Sequence, residues 1–259
     1  MANNSDSDWC HPETMLYSAR HRRLGINKLG KGANGQVFIG CTRKTCFTKY
    51  AIKKSRSDMS DEFDTLKRAY RADPNHIPKP YLFRACKTKN NTNNNSSSFS
   101  FPKQGNNTNK KESGSIMYYE YIPSVTLSKY KKVSMKMVFE ILTTVYKLNK
   151  AGIKHGDLHL SNILIKKGTN KPYITDFGRS SGSNGTTKFD YHLLLNILYN
   201  KLKPSSPVRV FIGKVIPKQY LLKNSPITRR YRLSTNSTSK LPSLREVLLK
   251  LKFNILKYK

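Results

Sequence analysis

The order of strand-type and helix-type patterns along the chain constrains its fold more than any other feature. Short apolar stretches broken by glycine and turn residues predict strands, at 24–32, 35–41, 46–54, 81–86 and 116–121. Apolar side chains at helical spacing predict helices, at 57–71, 134–151, 189–201 and 243–256, with short strand-like pieces at 162–166 and 172–175. A run of strands followed by a run of helices predicts an α+β fold in two lobes: an antiparallel β-sheet with one helix, and then a mainly helical part.

Composition marks the boundaries of these lobes. Residues 1–22 are polar and predict a flexible lead-in, so that the first lobe spans 23–122. Within it, 87–114 consists almost entirely of Asn, Ser, Thr, Lys and Gly, which bury too little apolar surface to offset the entropy lost on ordering. We expect a disordered insertion there, and a second lobe over 123–259 with a basic C-terminal segment.

The charge of the chain bears on its partners. It carries 48 Lys and Arg against 15 Asp and Glu, a formal net charge of +33. Such an excess attracts polyanions, so nucleic acid, an acidic protein or an anionic membrane is a candidate partner, and solvated lysines on exposed faces are the alternative. Between Lys201 and Lys259, Glu246 is the only acid. The apolar stripe of the last predicted helix favours packing on the second lobe over an exposed membrane-binding or partner-binding helix.

The sequence also bears on the compartment. It opens without a basic start followed by an apolar run, and no stretch approaches the roughly 18 apolar residues that span a bilayer. We therefore expect an intracellular protein with no transmembrane segment. Its four cysteines are then expected to be reduced thiols, with a zinc site as the alternative, at Cys10, Cys41, Cys46 and Cys86.

A glycine-rich segment between two predicted strands suggests a phosphate-binding loop. Gly30, Gly32, Gly35 and Val37 form the pattern G-x-G-x-x-G-x-V. Because a strand and not a helix follows the glycines, the pattern disfavours a Rossmann turn, and glycines between strands let backbone N–H groups approach phosphates closely. Taken alone, the segment is more typical of a glycine-rich hairpin that binds no ligand.

A lysine in the third predicted strand adds to this pattern. Lys53 lies in an apolar strand sixteen residues after Val37, and a lysine that faces inward from a half-buried strand requires a counter-charge. Nucleotide phosphates or a carboxylate of the following helix would supply it. Glu62 is the candidate carboxylate, with which Asp61 and Asp64 compete. The alternative is that Lys53 and Glu62 are both solvated surface charges.

Two segments of the second lobe combine the groups that phosphoryl transfer requires. The first reads HGDLHLSN from position 155, and the second reads ITDFG from position 174. Phosphoryl transfer needs a carboxylate that orients the attacking hydroxyl group and accepts its proton, and oxygen ligands that hold Mg²⁺ on the phosphates. Asp157 is the candidate base, and Asn162 and Asp176 are the candidate Mg²⁺ ligands.

Four motifs, in this order along the chain, resemble those of the protein-kinase superfamily. They are the glycine-rich loop, the triplet that ends at Lys53, H-x-D-x-x-x-x-N and D-F-G. The similarity runs from about Leu24 to Tyr199. It implies a bilobal protein-kinase-like fold that binds ATP together with Mg²⁺, or with Mn²⁺ in its place. Asp157 would be the catalytic base, and Lys53 would hold the α and β phosphates in a pair with Glu62.

The resemblance also implies the nucleotide contacts. The nucleotide would be covered by the glycine-rich loop, at Leu29, Gly30, Lys31, Gly32, Ala33, Asn34 and Gly35. The adenine would be enclosed by three apolar side chains, at Val37, Ala51 and Leu164. The backbone of Glu120 and Ile122 would bind the adenine edge, beside Tyr119 as gatekeeper. A stack of three side chains would join the lobes, at Leu66, His155 and Phe177.

Three departures from the family pattern narrow the expectation. Gly156 replaces the Arg that pairs with an activation-loop phosphate in many regulated kinases, so that this switch is not expected. His159 replaces the usual Lys beside the γ-phosphate, where it could donate the same hydrogen bond. Only eleven residues separate Gly178 from Asp190, whose equivalent in the family anchors the catalytic loop.

These features resemble the RIO-like atypical kinases and the small kinase-like proteins of large DNA viruses. We expect a Ser/Thr protein kinase with Asp157 as base, acting on protein substrates. A small-molecule phosphotransferase of the aminoglycoside or choline type is the alternative, as is a polyanion-binding pseudokinase. The expected location is the cytoplasm, with the nucleus, a viral factory or the virion as alternatives.

Overall fold

The computed structural model describes residues 28–32, 35–41, 49–86, 114–180, 188–221 and 241–257. Its strands are β1 (Lys28–Gly32), β2 (Gly35–Cys41), β3 (Lys49–Ser55), β4 (Pro80–Cys86), β5 (Gly114–Glu120), β6 (Ser124–Thr126), β7 (Ile163–Lys166) and β8 (Pro172–Ile174). Its helices are α1 (Ser60–Ala72), α2 (Met135–Lys150), α3 (Lys188–Lys201), α4 (Pro207–Val215) and α5 (Leu244–Lys257). The expected α+β class with an antiparallel β-sheet and several helices is confirmed.

The chain divides into two compact units. The first comprises Met1–Ser60 and Tyr81–Tyr118, and the second comprises Asp61–Pro80 and Tyr119–Lys259. Helix α1, apart from its first residue, therefore belongs to the second unit.

The first unit is built on a five-stranded sheet with the order β1-β2-β3-β5-β4. Strands β1, β2 and β3 pair antiparallel, and the register sets Val37 opposite Lys53. On the alternate positions of the sheet, Ile52 packs with Ile116 and Tyr118 in a small apolar core. Because successive side chains of a strand point to opposite faces, Lys53 faces away from this core.

The second unit contains the larger apolar core. Helix α2 begins at the N-cap Ser134, whose hydroxyl accepts the N–H of Met137 at 3.2 Å, and buries an apolar face in that core. A three-stranded antiparallel sheet, β6-β7-β8, lies in the same unit. Helix α5 packs on α2 and buries Leu244, Val247 and Leu251, so the expected packing of the last helix is confirmed.

A buried carboxylate joins α1 to α2. The side chain of Asp73 is buried. It accepts hydrogen bonds from Thr144 Oγ1 at 2.9 Å and from Lys147 Nζ at 3.0 Å. His76 Nδ1 lies 3.1 Å from Oδ2 of Asp73, the oxygen that Thr144 also contacts. Burial alone would raise the pKa of Asp73, but these three partners together hold it well below its ordinary value. The ionised carboxylate therefore stabilises the junction of the two helices.

Two further polar side chains tie α3 to its surroundings. Lys201 donates from Nζ to the carbonyl oxygens of Leu127 at 2.7 Å and Ser128 at 2.6 Å. His192 is buried with its ring edge-on to Tyr220, at a centroid distance of 5.9 Å. Burial lowers the pKa of His192 to about 4, against a backbone hydrogen bond to Tyr220 that raises it.

Several expectations need correction or lie beyond the described residues. Strand β6 and helix α4 were not expected, and Gly114, assigned to the insertion, begins β5. The rest of the expected insertion and the lead-in 1–22 lie outside the residues that the structure describes. The expectation of reduced thiols is wrong for Cys86, which is disulfide-bonded. None of the described helices has the length and hydropathy needed to cross a bilayer.

Candidate active site

A buried carboxylate fixes the loop that carries Asp157. Asp190, in the first turn of α3, accepts the backbone N–H of His155 at 2.8 Å and that of Gly156 at 3.0 Å. The imidazole Nδ1 of His155 accepts the N–H of Asp157 at 3.3 Å, and its Nε2 lies 2.9 Å from the carbonyl oxygen of Thr175. The expected anchoring of this loop by Asp190 is confirmed.

Gly156 bends the loop in a conformation that other residues rarely adopt. Its φ is +76°, and a Cβ at this position would come within 3.0 Å of the carbonyl oxygen of Arg179. Both features exclude a larger residue unless the backbone shifts. The lack of an Arg at position 156 therefore has a local steric cause.

The carboxylate of Asp157 lies beside two basic groups. Its Oδ2 is 3.8 Å from Nε2 of His159 and 3.7 Å from Nε of Arg179, and 27% of the side chain is exposed. His159 accepts the backbone N–H of Ser161 with Nδ1 at 3.2 Å. In the neutral imidazole this leaves the proton on Nε2, the nitrogen nearer to Asp157.

Asn162 and Asp176, the candidate metal ligands, are held together by Thr175. The backbone N–H and the hydroxyl group of Thr175 both donate to the carbonyl oxygen of Asn162, at 2.9 and 3.2 Å. Asp176 follows directly, with a φ of +67°. The amide Nδ2 of Asn162 donates to the carbonyl oxygen of Asp157 at 3.0 Å. The Oδ1 atom of Asn162 is therefore the side-chain atom that could bind a cation.

Two carboxylates approach the phenol of Tyr119. Burial raises the pKa of Tyr119, and the charges of Glu62 and Asp176 raise it further. Glu62 is buried on α1, whereas Asp61 and Asp64 are exposed. The structure thus brings Glu62, Tyr119 and Asp176 into electrostatic reach of one another within the second unit.

The three side chains expected to stack are all buried in the second unit. The rings of His155 and Phe177 lie 5.1 Å apart between centroids. Leu66 and Phe177 are buried in the large apolar core of the second unit. Phe177 is therefore held in the core directly after Asp176 in the chain.

In the first unit, the register gathers another group of predicted residues. Gly30 pairs with Val37, and Val37 pairs with Lys53, so the three lie side by side across β1, β2 and β3. Ala51, two residues before Lys53, shares its face of the sheet. Ala51 and Lys53 are both buried. Gly35 has a φ of +135°, and a Cβ there would come within 3.0 Å of the carbonyl oxygen of Lys54, so this turn requires glycine.

The remaining predicted residues are placed as follows. Glu120 exchanges two hydrogen bonds with Lys79: its N–H donates to the carbonyl oxygen at 2.8 Å, and its Oε2 accepts the N–H at 3.2 Å. A nucleotide contact by the backbone of Glu120 would therefore use its carbonyl oxygen. Ile122 is buried and Leu164 half-buried, both in the second unit, whereas Leu29 is exposed.

Part of the glycine-rich loop lies outside the residues that the structure describes. Lys31 and Gly32 form the end of β1, and only their backbone is described, while Ala33 and Asn34 fall outside the described residues. Sequence reasoning missed Arg179 and Thr175 as parts of the site. Both flank the D-F-G triplet directly, and this proximity is the signal that could have identified them.

The residues present fit a divalent cation of the Mg²⁺ type. Hard cations prefer oxygen ligands, and Mg²⁺ commonly takes only one or two from the protein when phosphates supply others. One amide oxygen and one carboxylate, from Asn162 and Asp176, match this preference. Within the described ranges, no group of three or more His, Cys, Asp and Glu side chains could hold a metal ion.

Comparison with models of known protein families gives no match for this chain, and no curated protein matches it significantly. Its function is therefore inferred from its own residues.

Proposed function

We propose that this chain is an ATP-dependent protein kinase that transfers the γ-phosphate of ATP to Ser or Thr hydroxyl groups of proteins. One observation carries the proposal: the partly exposed carboxylate of Asp157 lies in the loop whose backbone carbonyl oxygen binds the amide of Asn162. Asn162 in turn is bonded to Thr175, the residue directly before Asp176. A base next to a cation site is the arrangement that phosphoryl transfer requires. We also propose that its α+β fold is the bilobal fold of protein kinases.

Asp157 would act as the general base. It would accept the proton of the substrate hydroxyl group as the hydroxyl oxygen forms a bond to the γ-phosphorus, while the bond from that phosphorus to the β–γ bridging oxygen breaks and ADP leaves. His159 and Arg179, both within 4.0 Å of this carboxylate, would help to orient it. Their N–H groups are also suited to contact the transferred phosphoryl group.

Asn162 and Asp176 would hold Mg²⁺, or Mn²⁺, on the phosphates. When bound, the cation supplies positive charge that offsets the charge developing on the phosphate oxygens. The chain's own contribution is rigidity, because Thr175 fixes Asn162 and the buried Phe177 fixes the other side of Asp176. Ligands held in this way need little reorganisation when the substrate binds.

The first unit supplies groups suited to a nucleotide. Lys53 is buried and shares its sheet face with Val37 and Ala51, which are small apolar side chains suited to an adenine ring. Glycines flank this row at Gly30 and Gly35, so backbone N–H groups can approach phosphates there. We assign the α and β phosphates to Lys53 on this basis.

The test is phosphate transfer from labelled ATP and Mg²⁺ to model proteins. We expect Asp157→Asn to lower the transfer rate by about 10² to 10⁴-fold, the usual contribution of a general base, and Asp176→Ala to remove cation-dependent activity. The matched control is Asp64→Asn, because Asp64 is an exposed carboxylate that pairs with its helical neighbour Lys67.

Three results would count against the proposal. Transfer by Asp157→Asn at the wild-type rate would reject the mechanism. Phosphorylation of an aminoglycoside or of choline without phosphorylation of any protein would favour the small-molecule alternative. Tight, salt-sensitive binding of polyanions without ATP turnover would favour a pseudokinase.

A further inference from the structure

The outer face of α5 carries an apolar stripe that the fold of its unit leaves uncovered. Leu249, Phe253 and Leu256 are 59%, 70% and 60% exposed. At about 100° per residue, their spacing aligns them along one side of the helix. A stripe of three large apolar side chains at this exposure is costly in water and indicates an interaction surface.

The opposite face holds the helix in place, so the stripe is rigid. Leu244, Val247 and Leu251 are buried against the core of the second unit. The helix begins with a reciprocal capping box, in which Glu246 N–H donates to Ser243 Oγ at 3.2 Å and Glu246 Oε2 accepts the Ser243 N–H. Glu246, the one acid of this helix, is thereby engaged at its start.

Basic side chains border the stripe on both sides. On the helical projection, Arg245 and Lys252 lie along one edge, and Lys250 and Lys257 lie along the other, all of them exposed. The long stems of such residues can lie along an apolar surface while their charged ends reach a polar layer. This is the arrangement of a helix that lies in a membrane interface, with its apolar side chains inserted and its cations at the anionic headgroups.

We propose that the outer face of α5 docks the protein on an anionic lipid bilayer surface. The net charge of +33 strengthens attraction to such a surface over a neutral one. Nucleic acid fits less well, because phosphate contacts make no use of three exposed apolar side chains. An acidic protein would need a groove complementary to this single helix, whereas a bilayer accepts its convex face without one.

Vesicle flotation with the purified full chain tests the proposal. We expect binding to vesicles of phosphatidylcholine with phosphatidylserine and much weaker binding to phosphatidylcholine alone. The variant Leu249→Ser/Phe253→Ser/Leu256→Ser keeps every charge, and we expect it to lose at least about tenfold in partition coefficient, because it can no longer bury its stripe.

A charge-matched pair of variants separates α5 from the overall charge. Lys250→Gln/Lys252→Gln/Lys257→Gln should lower the partition coefficient about a hundredfold. The control Lys129→Gln/Lys131→Gln/Lys132→Gln removes the same number of charges from another exposed segment of the second unit and should have a much smaller effect. In Phe253→Trp, the added fluorescence should shift to the blue and be quenched by brominated lipids.

Three outcomes would overturn the proposal. The first is unchanged binding by the serine variant, since insertion of the stripe would then contribute nothing. The second is an equal loss in the two lysine variants, which would assign binding to net charge alone. The third is no binding of the wild type to anionic vesicles, with association through α5 of a second copy or of an acidic protein instead. None of these variants alters a residue assigned to phosphate transfer, so transfer in solution is expected to be unchanged and the two proposals fail independently.

Discussion

The substitution Gly156→Ala tests whether the geometry of the Asp157 loop depends on one missing side chain. Two costs are expected. A left-handed backbone costs a residue with a Cβ about 1 to 2 kcal/mol. In addition, the new Cβ would meet the carbonyl oxygen of Arg179 at less than 3.0 Å, and overpacking of this kind typically costs about 1 to 3 kcal/mol. We therefore expect the free energy of unfolding to fall by about 2 to 5 kcal/mol.

Gly168 provides a control that isolates the second cost. Its φ is +84°, similar to that of Gly156, but a Cβ there would have no atom within 4 Å. Gly168→Ala should therefore lose only the backbone contribution, about 1 to 2 kcal/mol. The difference between the two variants measures the displacement of Arg179.

Urea denaturation followed by circular dichroism measures both variants, and a transfer assay on the same samples links the displacement to activity. Gly156→Ala is expected to move Arg179 away from Asp157 and to reduce transfer by more than its folded fraction explains, while Gly168→Ala keeps the wild-type rate. Equal destabilisation of the two variants would refute the steric argument.

Three further predictions concern buried or bridging charges. Asp73→Asn should lower the free energy of unfolding at pH 7 by about 2 to 3 kcal/mol, because the ionised acceptor of three hydrogen bonds is lost. Since the pKa of Asp73 is lowered on folding, the wild type should lose this advantage as the pH falls below about 4. The folded pKa of His192 is about 4 against an ordinary value of 6.5, so the unfolded state binds more protons between these pH values. The wild type should therefore lose about 3 kcal/mol of stability as the pH falls from 6.5 to 4, and His192→Phe should not show this loss. Lys201→Met should cost about 1 kcal/mol, because water replaces the lost hydrogen bonds at this exposed site.

Denaturation curves measured at several pH values test all three predictions. A parallel pH dependence of the wild type and Asp73→Asn below pH 4 would contradict the role of the Asp73 carboxylate. An unchanged slope between pH 4 and 6.5 in His192→Phe would contradict the burial of a neutral imidazole. A loss of several kcal/mol in Lys201→Met would show that water does not replace its hydrogen bonds.

Periodic patterns predicted most of the secondary structure. The predicted helix 134–151 corresponds to α2, and the predicted strand 35–41 corresponds to β2, because in both a long apolar pattern is bounded by clear turn or capping residues. Strand β6 escaped prediction because only one of its three residues is apolar, whereas the equally short β8 is apolar throughout. Helix α4 escaped prediction because nine residues give little helical periodicity to recognise.

Contacts between distant residues could not be predicted in the same way. The partners of Asp73 on α2 lie more than seventy positions away in sequence, and nothing in the spacing of either helix indicates their contact. The motif residues were different, because the chemistry that they share required Asp157, Asn162 and Asp176 to lie close together. Thr175, which holds two of them, carries no chemistry of its own and was missed for that reason.

The departure from the family pattern at Gly156 has a structural explanation. The chain has a glycine at position 156 and an arginine directly after the D-F-G triplet, and in the structure the backbone of Arg179 occupies the space that a Cβ at 156 would need. The same arginine directs its guanidinium group to within 3.7 Å of the Asp157 carboxylate. A residue with a side chain at 156 would displace the backbone that delivers this cation. Gly156 therefore allows Arg179 to supply positive charge beside the Asp157 carboxylate. We expect a residue with a side chain at position 156 to be tolerated only together with a change at position 179.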